Sequence, residues 1–243
     1  MTALRLNPAL EVEAYAETFA REGVVQIRDV LEPEAAEHVA AMLNNAMPWE
    51  MALSDAMGGD ETLTRDALAS LGRDGIARKL QDVSARAASG FAYVYLCYPM
   101  IRAYVQRRDP GHPIHQVTEF INSRPFLDFG AAVIRAAGVT KADAQATFYR
   151  PNDFLTLHDD RTDQKAGTAR RKAAYTLGFT RGWRPDWGGQ LLFHDDAGEI
   201  ERGLTPGFNM LTLFGVPRMH SVAPVAPYAA APRLSVVGWL RDD

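Results

Sequence analysis

Three side chains in the C-terminal half of the chain could together hold a metal ion. His158 and Asp160 lie two residues apart at the end of an alternating apolar run, and His220 begins another such run. Residues two apart on an extended strand point to the same side, so we expect His158 and Asp160 to face one interior. Two imidazoles and a carboxylate suit Fe(II), because they occupy one face of an octahedral ion and leave the opposite face open. This spacing predicts an iron site.

An arginine near the C-terminus adds a second element of chemistry. Arg233 and Ser235 lie on one face of the last predicted strand. A buried arginine requires an anion, and its planar guanidinium grips a carboxylate through two parallel hydrogen bonds. An anionic co-substrate would meet this requirement. An ion pair with one of the chain's own acidic residues would meet it equally well, and the residues alone leave both interpretations open.

A second histidine–aspartate pair has to be weighed against the first. His194 is followed by Asp195 and Asp196, but this motif runs directly into Ala197 and Gly198, which is typical of a hairpin turn. Too few residues separate it from His220 for several strands to intervene. Short motifs of this kind arise often by chance. We therefore predict a structural or solvent-exposed role for His194.

Composition limits the class of protein. The chain has 243 residues, of which 47% are hydrophobic, so one sizeable core is expected. The formal net charge of −4 argues against nucleic acid or an anionic membrane surface as a partner. Cys97 is the single cysteine, which excludes an internal disulfide and fits a reducing compartment. Because no segment resembles a signal peptide or reaches membrane-spanning length, we expect a soluble, cytoplasmic protein.

The order of the predicted elements indicates one domain over residues 1–243. Residues 1–141 carry mainly helical patterns with edge strands, and we expect them to support the core from outside. From residue 142 short alternating runs are separated by turns, which is typical of a β-sandwich or barrel. These predicted strands cover residues 145–149, 154–158, 173–179, 190–194, 209–214, 220–222 and 234–240. The expected fold class is therefore β-rich α+β.

Three further segments bear on the site. Residues 91–98 predict an aromatic strand, whose tyrosines we interpret as a half-buried sheet face. Residues 48–59 and 163–168 are polar and irregular, so they predict loops. Loops of this kind often close over a site, but we expect the first of them to be an ordinary surface loop.

The stretch from Tyr149 to Trp239 carries a longer pattern. Its segments are His158-Asp159-Asp160, Arg170-Arg171, Trp183 with Gly188-Gly189, Leu204-x-Pro206-x-Phe208-Asn209, His220-Ser221-Val222 and Arg233-Leu234-Ser235-x-x-Gly238-Trp239. In order and spacing this stretch resembles the Fe(II)- and 2-oxoglutarate-dependent oxygenases. The resemblance is closest to the prolyl hydroxylase branch, in particular the ribosomal-protein prolyl hydroxylases.

The resemblance implies a double-stranded β-helix (jelly roll) core and a set of residue roles. Fe(II), 2-oxoglutarate and O₂ would be the cofactor and co-substrates. The implied metal ligands are His158, Asp160 and His220, and the implied 2-oxoglutarate residues are Arg233, at the distal carboxylate, with Tyr149 and Ser235 beside it. One departure concerns a second tyrosine that the family usually carries before the Trp183 segment. Here Tyr175 is displaced from that register, so its role is left open.

The implied function is hydroxylation of an unactivated C–H bond, with a prolyl residue of a protein as the expected target. The partner would then be a protein or peptide, ribosomal proteins included. A free amino acid or other small molecule is the first alternative, and a non-catalytic jelly-roll binding module is the second. A metal-dependent phosphohydrolase is disfavoured, because its histidine–aspartate pair lies on helices, whereas the residues before His158 and His194 predict strands.

Overall fold

A computed structural model describes residues 3–160 and 171–242. Its helices in these ranges are α1 (Val12–Glu22), α2 (Pro33–Asn45), α3 (Arg65–Ala87), α4 (Met100–Val105), α5 (Ile114–Ile121) and α6 (Arg124–Val133). Its strands are β1 (Val24–Arg28), β2 (Glu50–Ser54), β3 (Asp60–Leu63), β4 (Tyr93–Tyr98), β5 (Lys141–Ala142), β6 (Gln145–Tyr149), β7 (Phe154–His158), β8 (Arg171–Phe179), β9 (Leu191–His194), β10 (Ile200–Leu204), β11 (Phe208–Gly215), β12 (His220–Val222) and β13 (Arg233–Arg241).

The strands form one curled antiparallel sheet. The hydrogen-bonded order runs β1-β11-β8-β13-β6-β4-β7-β12-β9-β10, with β2 beside β4 and β3 beside β2. One wall of the curl contains β8, β13 and β6, and the opposite wall contains β7, β12 and β9. This arrangement is the jelly-roll core, so the predicted fold class is confirmed. The N-terminal part supplies barrel strands as well as helices, because β4 pairs with both β6 and β7.

Helices α2, α5 and α6 cover the outer face of the β8–β13 wall. Apolar residues of α2, α5 and α6 form one core cluster with residues of β8, β11 and β13, among them the fully buried Ile121, Val133, Leu177 and Leu240. Helix α6 approaches β13 closely at Gly130, where an added Cβ would lie 2.7 Å from Leu240 Cδ1. Burial of this outer face leaves the inner face of the sheet free to form a cavity.

The prediction of a loop over residues 48–59 was wrong. Strand β2 occupies the first part of that segment, pairs with β4, and returns through a turn at Asp55 into β3. All five residues of β2 are buried, so its sequence does not alternate as a half-buried strand would. Its first residue, Glu50, is buried in an ion pair with Arg108, whereas the polar, irregular character of the segment predicted a loop.

Helix α3 is interrupted at Gly72, which has a φ of 62°. The turn after His194 is a hairpin in which Asp195 Oδ1 accepts from the backbone N–H groups of Ala197 and Glu199. Among the helices described, none is both long and apolar enough to cross a membrane. Residues 163–168, the second predicted loop, lie outside the described residues.

Candidate metal centre

The two histidines of the predicted triad meet because their strands pair. Strand β7 ends at His158, strand β12 begins at His220, and the two residues are direct partners in the antiparallel register. Their ring centroids lie 4.1 Å apart. Cross-strand partners on one face are the closest pairs that a sheet offers, so both imidazoles point into the curl from the same place.

The ring nitrogens of the two histidines divide into two roles. Nδ1 of His158 lies 2.9 Å from the carbonyl oxygen of Thr156, and Nδ1 of His220 lies 2.7 Å from that of Arg218. A carbonyl oxygen can only accept, so each Nδ1 carries the proton and donates it. Each Nε2 is then an unprotonated ligand atom, oriented by a backbone hydrogen bond as in known metal centres.

Asp160 completes the triad. Its Oδ1 lies 3.4 Å from Nε2 of His158, and its Oδ2 lies 3.6 Å from Nε2 of His220. The ligand atoms of the three residues all lie within 4.8 Å of one another. Two imidazoles and one carboxylate at this spacing fit a single ferrous ion. In the described part of the chain, no other group of three histidine, cysteine or acidic side chains comes together in this way.

The placement of Asp160 differs from the prediction that strand alternation aims it beside His158. Strand β7 stops at His158, and Asp160 follows in the left-handed backbone region with a φ of 58°. Residues other than glycine rarely adopt this conformation. The carboxylate therefore reaches the centre through a turn after the strand, and contacts from other strands have to hold that turn.

Burial sets the protonation of the centre. The side chain of His220 is 6% exposed, and desolvation, with the neighbouring His158 as a second cause, lowers the pKa of His220 to about 4. Burial by itself raises the pKa of Asp160, but the neighbouring side chains of His158, His220 and Trp239 together outweigh it, so this pKa is lowered. At neutral pH the centre therefore offers a neutral imidazole and a carboxylate, which are the forms that bind metal.

A cavity of about 760 Å³ opens from the triad into the curl and contains Arg233. Arg233 is 5% exposed, its Nε has no hydrogen-bond partner, and none of the described carboxylates forms an ion pair with it. Its guanidinium carbon lies 5.0 Å from the ring centroid of Tyr149. A buried arginine without an anion is costly, so the ion-pair interpretation fails and an anionic ligand is the partner this side chain requires.

The other two predicted co-substrate residues lie near Arg233. Tyr149 lines the cavity and is the direct cross-strand partner of Arg233. Ser235 is buried, and its Oγ lies 2.7 Å from Oγ1 of Thr147. It borders a separate small cavity of about 20 Å³ that Arg233 also lines. Their roles toward 2-oxoglutarate stay predictions.

Tyr175, whose role the sequence left open, and His194 both have structural partners. The hydroxyl of Tyr175 donates to the backbone carbonyl of Asp143 at 2.6 Å, and its ring packs edge-on against Phe126. Nε2 of His194 lies 3.0 Å from Oγ of Ser221. His194 is therefore not part of the triad, in agreement with the prediction.

Sequence reasoning missed an aromatic wall, which we define as Phe91, Tyr93, Tyr95 and Tyr149. Neighbouring rings along it have centroids 5.7, 5.7 and 4.8 Å apart. Phe91 is 37% exposed, and its centroid lies 5.3 Å from that of His158. The wall thus runs from beside the triad to Arg233. The two-residue spacing of Tyr93 and Tyr95 on β4 was the available signal, but spacing does not tell an outer sheet face from a cavity wall.

Comparisons with known proteins agree with this site. Residues 144–241 match the family model of the 2OG-Fe(II) oxygenase superfamily. This match identifies a 2OG-Fe(II) oxygenase domain over residues 144–241, and such a domain implies Fe(II), 2-oxoglutarate and O₂. The resemblance inferred from the sequence is thereby confirmed. No curated protein matches the chain.

Solved structures show the same fold. A prolyl-4-hydroxylase from Pseudomonas putida is similar at a TM-score of 0.58 and 18% identity, covering 96% of this chain and 100% of that one. A 2OG-Fe(II) oxygenase family protein from Burkholderia pseudomallei gives a TM-score of 0.60 at 12% identity, with 98% and 94% covered. A prolyl hydroxylase from Trichoplax adhaerens, solved with a hypoxia inducible factor peptide, gives 0.57 at 15% identity, with 95% and 89% covered. At these identities the likeness establishes the fold.

The metal-free protein should lose stability as pH falls from about 6.5 towards 4. The pKa of His220 is 6.5 when unfolded and about 4 when folded, so in this window the unfolded state binds the additional proton. At about 1.4 kcal/mol per pKa unit the loss is on the order of 3 kcal/mol. Urea unfolding between pH 4 and 7 measures it. The slope should flatten in His220→Gln and persist in His194→Gln; equal slopes in all three proteins would contradict the assignment.

Replacing Arg233 should make the protein more stable but abolish its binding of 2-oxoglutarate. Arg233→Met removes a buried unpaired charge and keeps most of the side-chain volume, so the free energy of unfolding should rise by about 1 kcal/mol. Binding of 2-oxoglutarate, measured calorimetrically with Mn(II) present, should be lost. Arg150→Met is the matched control, because Arg150 holds the buried Asp153 through both carboxylate oxygens, and this variant should be destabilised. A destabilised Arg233→Met would show that Arg233 has an internal partner.

Proposed function

We propose that this protein hydroxylates a prolyl residue of a peptide or protein, with His158, Asp160 and His220 as the iron ligands and Arg233 as the 2-oxoglutarate carboxylate site. The observation that carries the proposal is that one cavity contains the triad and a buried arginine without an anion. The triad can bind a metal ion, and Arg233 can bind the far carboxylate of a dicarboxylate. The chain's own side chains therefore call for both ligands.

Separate residues bind the co-substrate and the metal ion. When bound, Fe(II) with 2-oxoglutarate and O₂ supplies an oxidative decarboxylation that gives succinate, CO₂ and a hydroxylated product. Arg233, anchored on β13, orients the co-substrate by its distal carboxylate. Tyr149 covers the guanidinium and keeps water from it. The desolvated His220 keeps its Nε2 free of protons at neutral pH. None of these roles needs a general base.

The aromatic wall supports a prolyl target. Its exposed end, Phe91, lies beside the metal ligand His158, where a substrate C–H bond has to arrive. The flat ring of proline packs well on aromatic faces, as in grooves that recognise proline-rich peptides. The neighbouring Tyr93 donates its hydroxyl to Asp60 at 2.7 Å, which fixes the ring. Prolyl hydroxylases among the structural neighbours share this fold, and one of them is described with a peptide.

Turnover of 2-oxoglutarate to succinate, with Fe(II) under air, tests the centre. Wild type should show at least slow turnover without substrate. His158→Ala should lower the rate at least a hundredfold, because it removes a ligand, and Arg233→Met should raise the KM for 2-oxoglutarate. His194→Ala should match wild type, since His194 lies outside the triad. Full activity in His158→Ala would refute the metal centre.

The substrate class is tested with a library of proline-containing peptides, ribosomal sequences included, beside free proline and other amino acids. A prolyl peptide should accelerate succinate formation and gain one oxygen atom by mass spectrometry. Phe91→Ala should raise the peptide KM about tenfold and leave uncoupled turnover unchanged. Ile200→Ala, which removes an exposed side chain on β10 away from the cavity, should change neither. Acceleration by a free amino acid alone would replace the prolyl assignment with a small-molecule one.

A further inference from the structure

The turn that brings Asp160 to the centre is held from two other strands. Asp160 has a φ of 58°, a backbone conformation that residues other than glycine rarely adopt. The backbone carbonyl of Asp160 accepts from Nη1 of Arg171 at 3.0 Å. Its carboxylate Oδ2 accepts from Nε1 of Trp239 at 2.9 Å. Backbone and side chain of the same residue are therefore each held by a separate donor.

The two donors also hold each other. The guanidinium carbon of Arg171 lies 3.6 Å from the ring centroid of Trp239, which is a close cation–π stack. Arg171 begins β8 and Trp239 lies on β13, and these strands pair along their length. Arg171 and Trp239 therefore form one stacked pair on the β8–β13 wall. This pair contacts Asp160, which follows the end of β7.

The hydrogen bond from Trp239 also distinguishes the two oxygens of Asp160. It occupies one lone-pair direction of Oδ2, whereas Oδ1 faces His158 Nε2 at 3.4 Å with no such donor on it. A carboxylate with one oxygen held in this way is biased to bind a metal through the other. Binding through one oxygen keeps more coordination positions for a chelating 2-oxo acid and O₂.

We propose that Trp239 and Arg171 are positioning residues that fix Asp160 as a one-oxygen metal ligand in its left-handed turn. This inference rests on the proposed function, because it takes Asp160 as a ligand. Trp239 supplies the directional hydrogen bond, and Arg171 holds both the indole ring and the backbone of the turn. Partners that orient a ligand typically change metal affinity by about ten- to a hundredfold.

Metal affinity is the direct test, measured on the full chain without co-substrate by counting free Mn(II) with electron paramagnetic resonance. Trp239→Phe keeps the ring and removes the N–H, so its Mn(II) Kd should rise at least about tenfold. Trp183→Phe is the matched control, because the indole N–H of Trp183 also donates at 2.9 Å, to the carbonyl of Gly188. Its Kd should equal that of wild type. A wild-type Kd in Trp239→Phe would overturn the role of Trp239.

Arg171 is tested with a pair of variants. Arg171→Met keeps the length of the side chain and removes the donors and charge, so it should weaken Mn(II) binding, whereas Arg171→Lys should recover part of the loss. The double variant of Trp239→Phe with Arg171→Met should lose less than the product of the two single effects, because the residues act as one unit. Independent effects that multiply would contradict the coupled arrangement.

Different Mn(II)-binding results would refute the positioning role of Trp239 and Arg171 and the proposed metal centre. If wild type does not bind Mn(II), or if His158→Ala binds it as tightly, the metal centre itself is refuted. If His158→Ala abolishes binding while Trp239→Phe and Arg171→Met keep the wild-type Kd, only the positioning role is overturned. Thermal unfolding of each metal-free variant checks that a weaker Kd does not come from a fraction of unfolded chain.

Discussion

The direct pairing of His158 with His220 across β7 and β12 is the constraint on which the site depends. A sheet register cannot shift by one residue without turning every side chain to the other face. The pairing therefore fixes both imidazoles, and the backbone carbonyls of Thr156 and Arg218 fix which nitrogen carries the proton. Asp160, the cavity and the aromatic wall are all arranged around the point that these two rings define.

The cavity depends on the helical layer outside the β8–β13 wall, because this layer stabilises a wall whose inner face contains a buried charge. The β8–β13 wall is anchored by the helical layer on its outer face, so its inner face can tolerate the unpaired Arg233. A charge of this kind in a weakly packed wall would draw in water or a neighbouring carboxylate. The inner face instead keeps the guanidinium buried, with the ring of Tyr149 packed beside it. The guanidinium is thus already in position for an anionic ligand once the chain has folded.

Much of this architecture was predictable from the sequence, for identifiable reasons. The residues that meet in the triad could be chosen because imidazole and carboxylate side chains at strand ends are few, and because the strands alternate regularly after residue 142. The anion requirement of Arg233 could be stated from its place on an apolar strand, although only the structure removes an internal ion pair as the alternative.

The remainder depends on contacts between distant segments. Strand β2 begins with a buried charged residue, Glu50, which Arg108 neutralises, and no local pattern reveals that partner. The turn at Asp160 breaks the alternation that the sequence suggested, because Trp239 and Arg171 hold it from other strands. The aromatic wall has the spacing of an ordinary strand, and its position inside the curl follows from the pairing of β4 with both β6 and β7.

That double pairing of β4 has a consequence for where the folding unit begins. The superfamily match starts at residue 144, yet the sheet that contains the site includes a strand contributed about fifty residues earlier. A fragment cut at the match would leave β6 and β7 with open edges facing each other and would expose apolar surface on both. Such edges recruit other chains. The smallest fragment that can enclose this cavity therefore has to include the strands of the N-terminal half.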